Sequence, residues 1–352
     1  MISVKAQNIA PYVAGEQPES GAYIKLNTNE NPYPPSPKIK EFLALADFCK
    51  LRLYPDPQSV RLREAIARKE DVTVHNVFVG NGSDEVLALA FLTLFERTRG
   101  RVLFGDVTYS FYRVWAELFD LAYTAVPLSA EYKIIGEDYC GSKDISGIVI
   151  ANPNAPTSRL LALKDIEMIV SVNKNTPVIV DEAYIDFAGA NTSAVGLTAR
   201  YNNLVVVKTF SKSYSLAGIR VGYAIASEPL ISALTRIKDC YNSYPVGMIS
   251  GAAATIAIGD AEYHKLTVER IIRTRESASK ELVRAGFEVV PSAANFLWVR
   301  HFELTGMQIY GYLKNNNIIV RAWDKPRLDG HVRITVGNDG DMDKLCKALK
   351  KL

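Results

Sequence analysis

Lys212 lies in the segment KTFSKSYSLAGIRVGY at 208–223, just after an apolar run and among small and hydroxyl side chains. A lysine in such a pocket, near other cations, can act as an amine nucleophile or general base. Arg220, further along the same segment, offers a fixed guanidinium fork for a phosphate. A solvated loop lysine would carry the same letters. Asp181 ends the apolar run of VIVDEAYIDF at 178–187, where a carboxylate is partly desolvated. A cation such as a protonated ring nitrogen offsets that cost; a helix or loop cap is the other reading.

Two further clusters complete the set. VGNGSDE at 79–85 reads as a strand end, a Gly turn and a helix start. Free N–H groups and the positive end of that helix make an anion site, and Gly82 lets backbone approach the anion. An Asn-Gly turn followed by an ordinary Ser or Asp cap explains the same letters. In VRITVG at 332–337, Arg333 sits on a strand, and Arg321 sits at the end of IIV. Such a pair clamps a carboxylate or phosphate bidentately, or else decorates two edge strands. A pyridine cofactor with a phosphate tail needs an amine for a Schiff base, a carboxylate for the ring nitrogen and an anion cradle, and its acidic substrate needs an arginine. All four occur, in the order cradle, Asp, Lys, Arg.

Metal chemistry is not expected. The 4 cysteines lie far apart without a C-x-x-C, and the 4 histidines are scattered without H-E-x-x-H or paired spacing.

The elements that must position these residues alternate between helix and strand from about residue 60. Helices are expected over 86–97, 110–119 and 164–172, and strands over 101–106, 147–151, 177–181, 204–209 and 221–226. VIVD at 178–181 and LVVVKTF at 204–210 are continuous apolar runs, the pattern of strands covered on both faces. Alternation of that kind implies an α/β layered sheet, with ligands beyond the carboxyl ends of its strands. Past residue 250 a long helix over 261–285 leads to strands at 295–300, 318–321 and 332–336 and helices at 305–315 and 342–352. Before all of this, Pro11, Pro18, Pro32, Pro34, Pro35 and Pro37 suit an extended or turning arm.

Composition sets the outer bounds. The chain has 352 residues, enough for two domains, with 48% hydrophobic and 22% charged residues, which excludes disorder, collagen-like repeats and disulfide-rich mini-scaffolds. Lys+Arg 41 against Asp+Glu 38 leaves +3, too balanced for a dedicated nucleic-acid binder. The longest apolar stretch, Val86 to Phe95, falls far short of the ~20 residues that span a bilayer, and the first residues contain no apolar leader. A soluble cytoplasmic protein is expected.

The segments KLNTNENPYPPSP, RLYPDPQSVRLREAIA, VGNGSDEVL, ANPNAPTS, VIVDEAYIDF, KTFSKSYSLAGIRVGY and VRITVG together resemble the fold-type I pyridoxal-phosphate enzymes, and more closely the histidinol-phosphate aminotransferases. The resemblance implies a large domain around a mostly parallel seven-stranded sheet sandwiched by helices, plus a smaller α/β domain. It divides the chain into an arm over 1–28 that packs with the small domain, a cofactor domain over 29–260, and a connector helix with the small domain over 261–352. It also implies a homodimer with shared active sites.

Residue by residue, it makes Lys212 the Schiff-base lysine and proton shuttle, with Asp181 on the pyridine nitrogen of pyridoxal 5'-phosphate. Tyr184 is implied to bond the ring phenolate and Tyr109 to stack on the ring. Ser83, Asp84, Ser211 and Arg220 are implied to surround the phosphate, with Tyr54 of LYPDP reaching the partner subunit's cofactor. Arg333, Arg321, Tyr12 and Asn29 are implied to contact substrate. One departure matters: family members read P-N-N-P-T-G, whereas this chain reads Pro153-Asn154-Ala155-Pro156-Thr157-Ser158. Ala155 cannot make the phenolate bond of the second Asn, so Asn154 through a shifted loop, or Tyr184 alone, must serve. The Ser at 158 matters only if that position needs a positive φ.

The activity implied is transamination of L-histidinol phosphate with 2-oxoglutarate to imidazole-acetol phosphate and L-glutamate, in histidine biosynthesis. Threonine-phosphate decarboxylation and aromatic amino-acid transamination are the alternatives within the fold. A non-catalytic effector-binding relative is the reading from another class, and an intact Lys212 speaks against it.

Overall fold

In the computed structural model, which describes residues 1–18 and 23–352, the alternating runs form a seven-stranded sheet. Its strands are β1 (Val77–Gly80), β2 (Arg101–Gly105), β3 (Tyr123–Val126), β4 (Ile145–Ala151), β5 (Val178–Asp181), β6 (Leu204–Thr209) and β7 (Gly222–Ala226), in the spatial order β1-β7-β6-β5-β4-β2-β3. The pairs from β3 through β2, β4 and β5 to β6 are parallel, while β7 runs antiparallel to both β6 and β1.

The apolar runs are continuous because both faces are covered. Val178, Val180, Leu204 and Val206 enter one buried cluster, and Ile179, Val205 and Val207 enter the cluster on the opposite face. Each such side chain contributes about 1.5–3 kcal/mol of burial. Helix α1 (Gly82–Leu94) packs against β6 and β7, and Gly82 opens it at φ 83. Gly222 has no room for a side chain, since a Cβ there would lie 2.3 Å from the Ser83 nitrogen.

Register gathers the site. Gly80 pairs with Gly222, Gly222 with Thr209, Asp181 with Val207 and Ala151 with Asp181. The cradle turn, the Arg220 turn, the Lys212 loop and Asp181 therefore leave the sheet along one edge.

A second, four-stranded antiparallel sheet is built from β8 (Glu288–Val290), β9 (Phe296–Arg300), β10 (Arg321–Ala322) and β11 (His331–Thr335), in the order β10-β11-β9-β8. Arg321 and Arg333 are direct cross-strand partners in it. The long helix Ala261–Arg284 joins the two sheets, and its buried Arg275 donates 3.0 Å hydrogen bonds to the carbonyls of both Phe187 and Ala294.

Three sequence expectations need correction. The run over 318–321 is not one strand: Ile318–Ile319 pairs in parallel with Ile24–Lys25, while Arg321–Ala322 belongs to the four-stranded sheet. Pro37 does not extend the arm but opens the helix Pro37–Leu45, capped by the Ser36 side chain, because the missing N–H costs nothing in a first helical turn. The arm also contains a short helix, Val4–Asn8, capped by Ser3. Residues 19–22 of the arm lie outside the described residues. Glu16 accepts hydrogen bonds from Tyr310 and Lys314, whereas Lys5 reaches Asp120 across the large sheet's unit.

Candidate active site

Beyond the strand ends lies a cavity of about 220 Å³. Lys212, Asp181, Tyr184, Ser83, Asp84, Tyr109, Ser211, Arg220, Arg333, Arg321, Tyr12 and Asn29 all line it. The amine at 212 and the acid at 181 thus face a common space from neighbouring strands.

Asp181 is buried, and burial is the main force on it, pushing its pKa up to about 6. The Tyr112 hydroxyl donates to its Oδ2 at 2.7 Å and the Ala183 N–H to its Oδ1 at 3.1 Å, both pulling the other way. The Lys212 amine donates to the Thr28 carbonyl at 3.2 Å and stands 5.8 Å from the centre of the Tyr184 ring. Asn31 fixes the loop behind it by donating to the carbonyls of Lys212 and Ser213, and the Ser213 hydroxyl donates to Asp186.

At the cradle end, Arg220 donates to Asp84 at 3.1 Å and approaches Ser211 Oγ at 3.5 Å. A Cβ on Gly82 would lie 2.5 Å from the Arg220 guanidinium, so this glycine makes room for the arginine. The Tyr109 hydroxyl donates to Asp84 at 2.9 Å, and burial with that carboxylate raises its pKa well above the ordinary phenol value. Asp84 is an acceptor here. Toward an anion only its backbone N–H can donate, while its side chain braces Arg220 and Tyr109.

At the other end, Arg333 donates to the Asn27 carbonyl at 3.0 Å and leaves its buried Nε without a partner among the described residues. Burial is the main force lowering its pKa. Arg321 donates to the carbonyls of Val13 and Ala14, and Tyr12 stacks on Phe111 with ring centres 4.3 Å apart. A second cavity of about 280 Å³ continues past Tyr12, Arg321 and Arg333 toward Arg113 and Lys325.

Asn154 does not belong to this set. Its amide donates to the Val107 carbonyl at 2.8 Å and to Thr157 at 2.9 Å, and its oxygen accepts from Thr108 at 2.7 Å. The fully buried side chain is committed to holding its own loop, and the methyl of Ala155 lines the cavity instead. Ser158 does adopt a left-handed backbone, φ 61, so a serine here carries strain of about 1–2 kcal/mol that a glycine would not. Tyr54 lies outside its own chain's cavity, 81% exposed and stacked on Tyr244.

Several contributors escape a reading of the sequence. Tyr112 follows Tyr109 by one helical turn in DVTYSFY, a spacing that could have placed it behind Asp181. Thr335 shares a strand face with Arg333, an alternation visible in VRITVG. Asn27, Asn31 and Asn295 carry no local signal, since their partners are remote in the chain.

The sequence matches the family described as aminotransferase class I and II over residues 22–349. The chain belongs to that family. Among relatives of this aminotransferase, the histidinol-phosphate aminotransferase 1 of Hydrogenovibrio crunogenus is 49% identical over 341 residues, 97% of this chain and 94% of the relative. The histidinol-phosphate aminotransferase of a Marinomonas species is 49% identical over 350 residues, 99% and 98% of the two chains. The crystal structure of histidinol-phosphate aminotransferase from Sinorhizobium meliloti, in complex with pyridoxal-5'-phosphate, superposes with a TM-score of 0.88 at 22% identity, covering 99% and 96%. That likeness establishes the fold of the aminotransferase as fold-type I.

The donor set of the aminotransferase fits a phosphorylated pyridine. Gly82 leaves a cradle that a Cβ would fill, Arg220 and the N–H groups of Ser83 and Asp84 supply cationic and dipolar donors, and a buried acid stands at the far side. Among the described residues no cluster of His, Cys, Asp or Glu is arranged to hold a metal ion, and no helix is long and apolar enough to cross a membrane.

Proposed function

We propose that this aminotransferase moves the amino group of L-histidinol phosphate to 2-oxoglutarate, giving imidazole-acetol phosphate and L-glutamate, with pyridoxal 5'-phosphate as cofactor. The observation that carries this reading is the cross-strand pair Arg321 and Arg333, facing the cavity that also holds Lys212 and Asp181. One arginine pair suits both the phosphate of the amine donor and a carboxylate of the oxo acid. The relatives at 49% identity bear the matching name.

The cofactor supplies a carbonyl carbon that takes up the amine and a cationic ring that delocalises the electron pair left at the substrate carbon. The residues do the rest. Arg220, Ser211 and the N–H groups of Ser83 and Asp84 would hold the phosphate, and Asp181 would keep the ring nitrogen protonated. Tyr184 would donate to the ring oxygen, while Tyr109 would cover a ring face and keep water out. With the cofactor bound, Nζ of Lys212 would carry the proton from Cα of the amine donor to the cofactor carbon that takes up the amine, and in the second half-exchange would carry one back to Cα of the new amino acid.

The same proposal includes a homodimer with shared sites and a cytoplasmic location. Support for the dimer comes from an apolar surface: Leu45, Phe48, Leu51, Leu53 and Tyr54 are all exposed along one short stretch, with Tyr241 and Tyr244. Closing a second copy over that stretch would bring Tyr54 to the partner's phosphate. The division into an arm over 1–28, a large unit over 29–260 and a small unit over 261–352 is supported by the separation of the two sheets.

The deciding experiment follows the cofactor's visible absorbance in single half-reactions. Histidinol phosphate should bleach the band and 2-oxoglutarate should restore it. No response to this pair overturns the proposal, and carbon dioxide released from threonine phosphate would assign a decarboxylase instead.

A further inference from the structure

Ala155 leaves the position beside Tyr184 without the polar group that the family segment places there, and its methyl packs with Phe296 against the Tyr184 ring. The Tyr184 hydroxyl is not without a polar neighbour. Nδ2 of Asn29 donates to it at 3.0 Å, from a residue 1% exposed at φ 56.

The direction of that bond is fixed by an N–H that can only donate. The backbone N–H of Asn29 donates to Thr335 Oγ1 at 2.9 Å, so the Thr335 proton goes to Oδ1 of Asn29, 3.2 Å away. Oδ1 is thereby the acceptor end of the amide and Nδ2 the donor end. Asn295 holds the same turn by donating to the Asn29 carbonyl at 3.0 Å. Tyr184 then accepts from Asn29, and its own proton has no acceptor among the described residues. The phenol lines the cavity, so that is where the proton points.

We propose that Asn29 is a positioning residue that replaces the missing asparagine at 155: anchored by Thr335, it orients the Tyr184 hydroxyl as a donor toward the ring oxygen of the cofactor. This inference rests on the cofactor reading above. It reassigns Asn29 from substrate contact to support of Tyr184, and it ties the strand that carries Arg333 to the ring end of the site.

A donor at the ring oxygen favours the more anionic, deprotonated form of the lysine-bound cofactor and so lowers the pH midpoint of its visible absorbance change. Weakening the donor raises that midpoint. The charged and titratable groups that face Tyr184 or share its cavity are Lys212, Arg333, Arg321, Arg220, Tyr12, Tyr109, Tyr112, Asp84, Asp181 and Glu30, all of which the variants below retain.

The test is a pH titration of the visible band in holoenzyme. Asn29→Gly keeps the left-handed backbone free of strain and deletes the amide; its midpoint should rise by about half a unit to one unit. Tyr184→Phe sets the full size of the effect and should rise at least as far. Thr335→Val should shift in the same direction, and Thr335→Ser should return to wild type. A shifted Tyr184→Phe beside an unshifted Asn29→Gly overturns the role of Asn29 and leaves the cofactor reading intact. A wild-type protein without any visible band overturns the cofactor reading itself. Should Asn29→Gly not hold cofactor, the Thr335 pair carries the test, and equal midpoints for Val and Ser overturn the inference.

Discussion

The Tyr112 hydroxyl meets Oδ2 of Asp181 at 2.7 Å beneath the cavity floor, with the tyrosine wholly buried and the acid 5% exposed. This contact offsets part of the burial cost on the carboxylate that the ring nitrogen would face. Burial raises the Asp181 pKa to about 6, and Tyr112 keeps it from rising further. Above that pH the side chain is an anion able to pair with a ring cation; below it the pairing is lost. Cofactor affinity should therefore fall as pH drops through about 6. Tyr112→Phe should move that limb upward by about half a unit to one unit. Binding titrations across pH, followed by cofactor absorbance, check both.

The same residue makes an opposite prediction for the cofactor-free protein. An unfolded Asp ionises near ~4, whereas folded Asp181 ionises near about 6, so the folded state holds more protons in between. Stability contributed by this group is present at low pH and lost as pH rises through that window. Asp181→Asn should thus stabilise the apoprotein at neutral pH, by at most about 2–3 kcal/mol, while weakening cofactor binding. Buried Glu182, raised to about 7, acts in the same direction, so the difference between variant and wild type in urea unfolding is the quantity to compare.

Gly82→Ala should cost cofactor affinity through geometry alone. The added methyl would lie 2.5 Å from the Arg220 guanidinium, at a backbone φ of 83. Displacing one charge-assisted donor predicts about 10- to 100-fold weaker binding. Equilibrium dialysis against pyridoxal phosphate measures it, and an unchanged Kd would show that Arg220 does not hold the phosphate.

Arg333→Gln should raise KM by about 10- to 100-fold for the phosphorylated donor and for the oxo acid alike, with a smaller change for a donor lacking a second anionic group. Steady-state kinetics on the three substrates separates the cases. A change confined to one acid would mean that the pair with Arg321 does not serve both.

Subunit mixing tests the shared site. Tyr54→Ala and Lys212→Ala should each be nearly inactive alone. Co-refolded in equal amounts, they should regain about a quarter of wild-type activity, because each mixed dimer has one site with both native residues. An active Tyr54→Ala would place Tyr54 outside catalysis, and no recovery from two inactive variants would place it in its own subunit's site.

The sequence made Asp181 and Lys212 legible because each stands at or just past the end of a strand whose every residue is buried: Asp181 closes Val178–Asp181, and Lys212 lies three residues beyond Leu204–Thr209. The four-stranded sheet was legible at β9 and β11 for the same reason. What failed was whatever depended on remote contact or loop direction. Asn154 stands in a family segment, but its orientation is set by Val107, Thr108 and Thr157 across a turn whose path no local pattern encodes. Asn29 meets Thr335 across nearly the whole chain. The run over 318–321 looked like one strand because apolar letters do not reveal that Val320 separates pairings to two different partners.

The shared row of Gly80, Gly222 and Thr209 makes strand length a hard constraint. Inserting one residue into β6 upstream of Thr209 would advance the amine by about 3.3 Å and turn its face over, while Arg220 and the cradle stayed where they are. Such changes should be lethal to activity even where the protein still folds. Insertions in the exposed connections at the opposite edge leave the constellation untouched, which makes that rim the place to attach tags or graft new loops.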